Sequence, residues 1–287
     1  MDRTVNSVEQ SVILTSEWPT SGHLQQGDHR LKLEFQEDAA AYEGPTQKAR
    51  IWTEGWVAQN LFCPNCGAAS LGKLKNNVPA ADFRCEGCAE QFELKSKNGG
   101  FGTRVVDGAF KTMRERVLAN DNPNLLLLSY DLSTKDVRGL QIVPRHFFTL
   151  ETLESRKPLS ASARRAGWIG CNILLGKIPE AGRIHVIRDR AAVPKAHVLD
   201  LWRKTLFLRE QAPAARGWLI DVMMCVEQLG RPNFSLDEVY EFVPHLQSIY
   251  PENRHVREKV RQQLQVLRDN GYLEFEARGR YRLTRSA

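Results

Sequence analysis

Residues 81–97, ADFRCEGCAEQFELKSK, interleave two sets of side chains with metal-binding chemistry. Cys85 and Cys88 form a CxxC pair, and a second pair, Cys63 and Cys66, is separated from it by 18 residues. Asp82, Glu93 and Lys95 form a D…ExK series around the later pair. Thiolates are soft ligands suited to zinc, and carboxylates are hard ligands suited to Mg²⁺. The stretch therefore predicts two sites.

Each CxxC turn brings two sulfurs within reach of one tetrahedral zinc, at about 2.3 Å from the ion. The spacing fits a zinc-ribbon-like knuckle of four cysteines, and Gly67 and Gly87 suit the tight backbone beside the ligands. The alternative is a set of free or redox-active thiols. Cys171 and Cys225 stand far from the pairs and from each other, which argues against a disulfide framework. A closed four-cysteine site leaves no open position for substrate, so this Zn²⁺ is expected to be structural, held by Cys63, Cys66, Cys85 and Cys88.

Phe92-Glu93-Leu94-Lys95 alternates apolar and charged residues. In a strand, Phe92 and Leu94 would face a core, and Glu93 and Lys95 would share the other face. If residues 82–95 form a hairpin containing the second CxxC turn, Asp82 lies across from the Glu93 region. Asp82, Glu93 and the Leu94 carbonyl could then hold Mg²⁺ through oxygen. Lys95 beside the ion could orient an attacking water, and the cation would polarise a scissile phosphate. The bland alternative is an exposed strand with ordinary surface charges. On the sharper reading, the zinc knuckle fixes the turn that presents Asp82 to Glu93 and Lys95.

The surrounding elements must supply that framework. Hydrophobic residues make up 42% of the 287, enough for real cores, and no run approaches the length of a membrane span. The first twenty residues lack a secretory pattern, so an intracellular, cytoplasmic protein without a membrane partner is expected. Residues 1–45 read as an N-terminal extension. Trp52 and Trp56 are spaced for a helix. Residues 108–120 read as a second helix, and 125–132, 139–144 and 182–189 as strands. A mixed α/β (α+β) domain over 46–190 follows, then a connector with a helix over 191–212.

From 213 to 287 the pattern changes to three helices and a hairpin, a winged-helix arrangement. Ser235 and Glu238 form a capping box that starts the second helix. The third, HVREKVRQQLQVLRDNG, carries an apolar stripe of Val256, Val260, Leu264 and Leu267. Arg254, Arg257, Arg261 and Gln262 lie off it, as a recognition helix requires. The turn at Arg278, Gly279 and Arg280 could reach phosphate as a wing. The whole chain has a net charge of +6, but residues 213–253 carry two basic and six acidic side chains while 254–287 carry nine and four. The positive end is local, as a polyanion-binding surface would be. A solvated basic face on a protein-interaction module is the alternative.

The chain resembles the DpnI-type methyl-directed restriction endonucleases from about residue 46 to 284. The resemblance is carried by QKARIWTEGWV, CPNC, ADFRCEGCAEQFELKSK, DNPN, RKPLSASARRAGWIGCNI, VREKVRQQLQVLRDNGYLEF and ARGRYR. It implies a PD-(D/E)XK nuclease domain with an embedded zinc knuckle, followed by a winged helix. It implies Mg²⁺-dependent hydrolysis of double-stranded DNA at GATC sites carrying N6-methyladenine, with no obligate protein partner. The family's acids and lysine fall on Asp82, Glu93 and Lys95. Ala81 stands where the general motif has proline, and Glu54 is a candidate supporting acid. A methyl mark on both strands suggests a second reader in residues 163–172. There Arg164 and Arg165 could hold phosphate or guanine, and Trp168 could offer a flat surface to a methyl or be an ordinary half-buried tryptophan. A rival of a different class is a non-catalytic DNA-binding regulator built from the zinc module and the winged helix.

Overall fold

The computed structural model describes residues 31–75 and 81–284. Most of the expected extension, residues 1–30, lies outside the described residues. Helix α1 (Pro45–Asn60) begins on a proline, whose missing N–H is no loss in a first turn. Next come β1 (Gly72–Lys73), β2 (Phe83–Arg84), β3 (Gln91–Asn98), β4 (Arg104–Ala109) and α2 (Phe110–Leu118). They are followed by β5 (Asn124–Asp131), β6 (Asp136–Val143), β7 (Leu153–Ser155), β8 (Gly170–Leu174), β9 (Ile184–Arg188), β10 (Ala191–Ala192) and α3 (Lys195–Arg203).

These strands form two sheets, a seven-stranded one in the order β1-β2-β3-β5-β6-β9-β10 and a three-stranded one in the order β4-β8-β7. β3 and β5 are parallel, and the other neighbours in the large sheet are antiparallel. The apolar run at the start of β5 shows why the large sheet is central. Leu126 and Leu128 turn to a core shared with Trp56, Val57, Phe83, Phe92 and Trp202. Leu125 and Leu127 turn the other way, towards Val105, Cys171 and Ile173 of the small sheet and Met113 and Val117 of α2. Both faces are dry, so the strand is apolar throughout, and each fully buried leucine contributes about 1.5–3 kcal/mol.

The sequence reading missed the small sheet. Its strands are short and separated by long irregular segments, so the period-2 signal is weak. Two boundaries also differ in detail. Part of residues 31–45, grouped with the extension, is bound to the large sheet: Val137 N–H donates to Leu33 O and Phe35 N–H to Lys135 O. The ring of Phe35 stacks on Trp52, with centroids 6.0 Å apart. The stretch 191–212, read as a connector, is packed too, with Val198 and Trp202 of α3 buried in the first core.

The C-terminal region holds α4 (Pro213–Gln228), β11 (Asn233–Ser235), α5 (Leu236–Tyr240), α6 (Val243–Ile249), α7 (Val256–Asp269), β12 (Leu273–Ala277) and β13 (Arg280–Leu283). The strands form a sheet in the order β11-β13-β12. The capping box at Ser235 and Glu238 is present. The expected second helix is broken in two, because Pro244 has no N–H to continue the ladder from α5. Val256, Val260, Leu264 and Leu267 are buried as expected. This module does not stand apart. Leu219, Ile220 and Met223 share one core with Phe147, Leu175 and Ile178 of the first domain. Glu227 accepts hydrogen bonds from Glu180 N–H at 2.7 Å and from the Tyr272 hydroxyl at 2.9 Å.

Candidate metal centres and basic surfaces

Cys63 and Cys66 follow the end of α1, and Cys85 and Cys88 occupy the turn between β2 and β3. Each turn is closed by backbone: Gly67 N–H donates to Cys63 O, and Ala89 N–H to Cys85 O, both at 2.9 Å. Gly67 takes a φ of +78°, which glycine adopts without strain. The four sulfurs lie within 4.8 Å of one another. Cys63 Sγ is 3.6 Å from Cys88 Sγ, and Cys66 Sγ is 3.5 Å from Cys85 Sγ. Sulfurs tetrahedral about a zinc at about 2.3 Å would be about 3.8 Å apart. The donor set therefore fits a four-thiolate metal site.

The same turn sets the acidic centre. Phe83 pairs with Phe92, and Asp82 N–H donates to Phe92 O at 2.9 Å. The Asp82 carboxylate accepts the Leu94 N–H at 2.7 Å. In a strand the N–H and C=O of one residue share an edge, so the Leu94 carbonyl also points to the Asp82 side of β3. Glu93 and Lys95 turn together towards the small sheet, with Lys95 Nζ 2.7 Å from Glu93 Oε1. The structure thus brings Asp82, Glu93, Leu94 and Lys95 together.

It adds Asp107, which sequence reasoning missed. Lys95 Nζ is also 2.7 Å from Asp107 Oδ1, a carboxylate whose side chain is 4% exposed. Asp107 sits on β4, pairs in register with Cys171 on β8, and faces Lys95 across the gap between the sheets. Nothing in RVVDGA signals it: Val105 and Asp107 are buried while Val106 is exposed. Glu54, on the buried face of α1, pairs with Arg50 one turn earlier and with Lys73 at 2.8 Å.

Burial pushes Asp82 up from its ordinary value, although the Leu94 N–H opposes the shift, and the Glu54 charge adds to it. Burial pushes Glu93 up to about 7; Lys95 opposes this and Asp107 reinforces it. Lys95 is held charged against its burial by Glu93 and Asp107. A second carboxylate near a lone ammonium is a cation-poor arrangement that a divalent ion would balance. Cys171 is buried, which pushes its thiol up to about 11, and so stays protonated.

Because Glu93 is raised above its unfolded value, the stability it contributes is present in full below pH 4.5 and lost as pH rises through about 7. In buffer without added divalent cation, the unaltered protein is expected to lose on the order of 3 kcal/mol relative to Glu93→Gln between pH 5 and 8. Thermal melts of the two proteins across that range check this, and parallel curves contradict it.

The loop 156–169 leaves the small sheet beside Asp107, since Ala109 pairs with Gly170 and Phe110 N–H donates to Ile169 O. Arg164 and Arg165 are exposed and Trp168 is half-buried. The Arg165 guanidinium lies 4.9 Å from the Trp168 ring centroid. The ring packs on Gly170, where a Cβ would come within 2.9 Å of it. Trp168 is therefore a half-buried tryptophan packed on Gly170 with Arg165 beside its ring. In the C-terminal region, Arg254, Arg257, Arg261 and Gln262 are all exposed along α7 or just before it. They divide into groups. Arg257 lies over Tyr240 at 4.9 Å, and Gln262 accepts from Lys259 at 2.8 Å. Arg261 lines a groove of about 550 Å³ together with Arg268, Arg278, Arg280 and the exposed Phe275.

The fold and these sites define a two-part protein: a mixed-sheet domain with a cysteine cluster and a carboxylate–lysine centre, and a winged helix-turn-helix module. The chain belongs to the DpnI family, described as the Dam-replacing family, whose model matches residues 31–211. The Dam-replacing HTH domain matches residues 214–283. The chain is also 29% identical over 96 residues to an endolysin of Bacillus phage SPP1, a match covering 33% of this chain and 35% of the endolysin. It thus spans about a third of the length of that curated relative.

Proposed function

We propose that the protein is a methylation-dependent restriction endonuclease that hydrolyses phosphodiesters of double-stranded DNA at GATC sites carrying N6-methyladenine. The observation that carries this reading is the hairpin that sets Asp82 against Leu94, with Glu93 and Lys95 on the next positions of one strand. That geometry matches a PD-(D/E)XK centre, and membership of the DpnI family supports it. Asp82, Glu93 and the Leu94 carbonyl would hold Mg²⁺, which when bound supplies polarisation of the phosphate and offsets its developing charge. Lys95 would orient the attacking water, and Asp107 would fix the ammonium for that task. Cys63, Cys66, Cys85 and Cys88 would hold a structural Zn²⁺ that keeps the hairpin closed.

Binding falls to the basic surfaces. Arg261, Arg278 and Arg280 would contact one groove and its phosphates, with Arg254, Arg257 and Gln262 on the same exposed side of α7. Arg164, Arg165 and Trp168 would meet the duplex next to the nuclease centre. No helix among the described residues is long and apolar enough to cross a membrane, which is compatible with a cytoplasmic enzyme acting on DNA without an obligate protein partner. Methylated plasmid incubated with the protein tests the reading: cutting with Mg²⁺ and none with excess chelator is expected, and binding without cutting in Mg²⁺ overturns it.

One methyl contact in a fitted pocket gives roughly 10–200-fold discrimination. Reading by both domains would multiply two such factors. Trp168→Ala in the full chain is therefore expected to narrow the cleavage-rate ratio between methylated and unmethylated sites by roughly tenfold or more. An unchanged ratio in the folded variant removes Trp168 from the reading. The shared core argues for the full chain here, because buried residues of α4 and of the first domain belong to one cluster.

A further inference from the structure

Register pairing places Lys95 opposite Leu127, Leu127 opposite Gln141, and Gln141 opposite His185. The four residues form one row across the large sheet, on the face turned to the small sheet. With neighbouring strands about 4.8 Å apart, His185 lies about 14 Å from Lys95 along that row. A cleft of about 460 Å³ opens at the His185 end, walled on one side by Phe101 in the loop after β3. Its other wall carries Arg138, Arg183, His185 and Arg188, with Asp189 as the acid among the lining residues.

One buried donor in this wall, Arg183 Nε, has no hydrogen-bond partner among the described residues, while the His185 ring is held by the Ile187 backbone. The rest of each side chain is engaged. Arg183 reaches Glu180 through its terminal nitrogen. His185 Nε2 is 3.4 Å from Gln141 Nε2, and when the amide donates to it, the ring proton is left on Nδ1. A buried donor without a partner is unfavourable, and Arg138, Arg183 and Arg188 around one cleft, with Asp189 as the acid in its lining, favour an anion. Burial first, then the Arg188 charge, holds the His185 imidazole below its usual range, with the Glu180 charge and the Ile187 backbone hydrogen bond opposing the shift.

We propose that this cleft is a second anion site of the nuclease domain, seating a backbone phosphate of the duplex whose scissile phosphate lies at Lys95. The proposal rests on the nuclease reading for the identity of its ligand. The row from Lys95 to His185 favours DNA over a free anion, because about 14 Å is close to the through-space separation of phosphates about two steps apart on one strand, once the helical turn is added to the rise of about 3.4 Å per step. An oxyanion there would meet the guanidinium groups of Arg188 and Arg138, with the Arg183 charge beside them.

The test is equilibrium binding of the full chain to a GATC duplex without divalent cation, so that no cutting is needed to read it. Arg183→Gln with Arg188→Gln is expected to weaken binding about tenfold or more at low salt. It should also reduce the slope of log affinity against log salt by about 0.9 for each phosphate that is no longer neutralised, equally for methylated and unmethylated duplex. If the double variant does not fold, Arg188→Gln alone, on an exposed side chain, is expected to show part of the same weakening. Unchanged affinity and slope in either folded variant overturn the proposal. Inorganic phosphate titrated into the intact protein, with the His185 ring followed by NMR, separates the sources. A His185 shift combined with unaltered duplex binding by the variants would assign the cleft to free phosphate and overturn the DNA assignment. Failure of the intact protein to cut in Mg²⁺ would strike the nuclease reading alone.

Discussion

Asp82→Ala is expected to reduce cleavage of methylated DNA by at least about 10²–10³-fold, the range seen when one preorganised electrostatic group is removed from a reacting centre. Duplex binding should stay close to that of the unaltered protein. Metal and nucleophile positioning act in the transition state, whereas on the proposed reading affinity would come from phosphate neutralisation along α7, the wing and the loop at Arg164 and Arg165. Glu93→Ala and Lys95→Ala should lose activity to the same degree, but their structural consequences differ. Removing the Lys95 ammonium leaves Glu93 and Asp107 facing each other without a cation. Breaking a buried pair in this way costs about 3–5 kcal/mol, so Lys95→Ala should also melt early. Asp82→Ala strips one acceptor from the Leu94 N–H and leaves the rest of the hairpin pairing in place. Cleavage assays beside duplex-binding measurements check the prediction. A Glu93→Ala protein that cuts normally would remove the centre from the mechanism.

Cys85→Ser is expected to release the zinc and lower the melting temperature sharply. The binding energy of a structural zinc is folding energy, about 10–16 kcal/mol in isolated zinc-finger peptides. Even a fraction of it is large against a total stability of about 5–15 kcal/mol. Activity should fall with it, because Asp82 immediately precedes β2, the strand that runs into Cys85. Metal analysis and thermal melts decide the matter. A Cys85→Ser protein that keeps its zinc and melts like the parent contradicts the structural role.

The hairpin was legible in the sequence because its determinants are local. The alternation at Phe92–Lys95 gives the strand, and the Cys85–Cys88 turn gives the reversal that returns Asp82 to it. The stripe on α7 was legible for the same reason, with one period repeated over fourteen residues. Asp107 was not, because it meets Lys95 only when the small sheet folds over the large one, and nothing near it in the chain marks that contact. The capping box at Ser235 gave the start of the second helix, but the break between α5 and α6 ahead of Pro244 was not read. Shared packing between the two parts was hidden as well: the apolar face of α4 reads the same whether it covers its own module or another.

The most direct test is cleavage of two defined GATC duplexes, identical except for N6-methyladenine on both strands, by the intact protein in Mg²⁺. The account predicts rapid cutting of the methylated duplex, at least about 10²-fold slower cutting of the unmethylated one, and none of either by Asp82→Ala. Equal rates on the two duplexes would contradict the methyl dependence. Binding of both without cutting would contradict the nuclease itself.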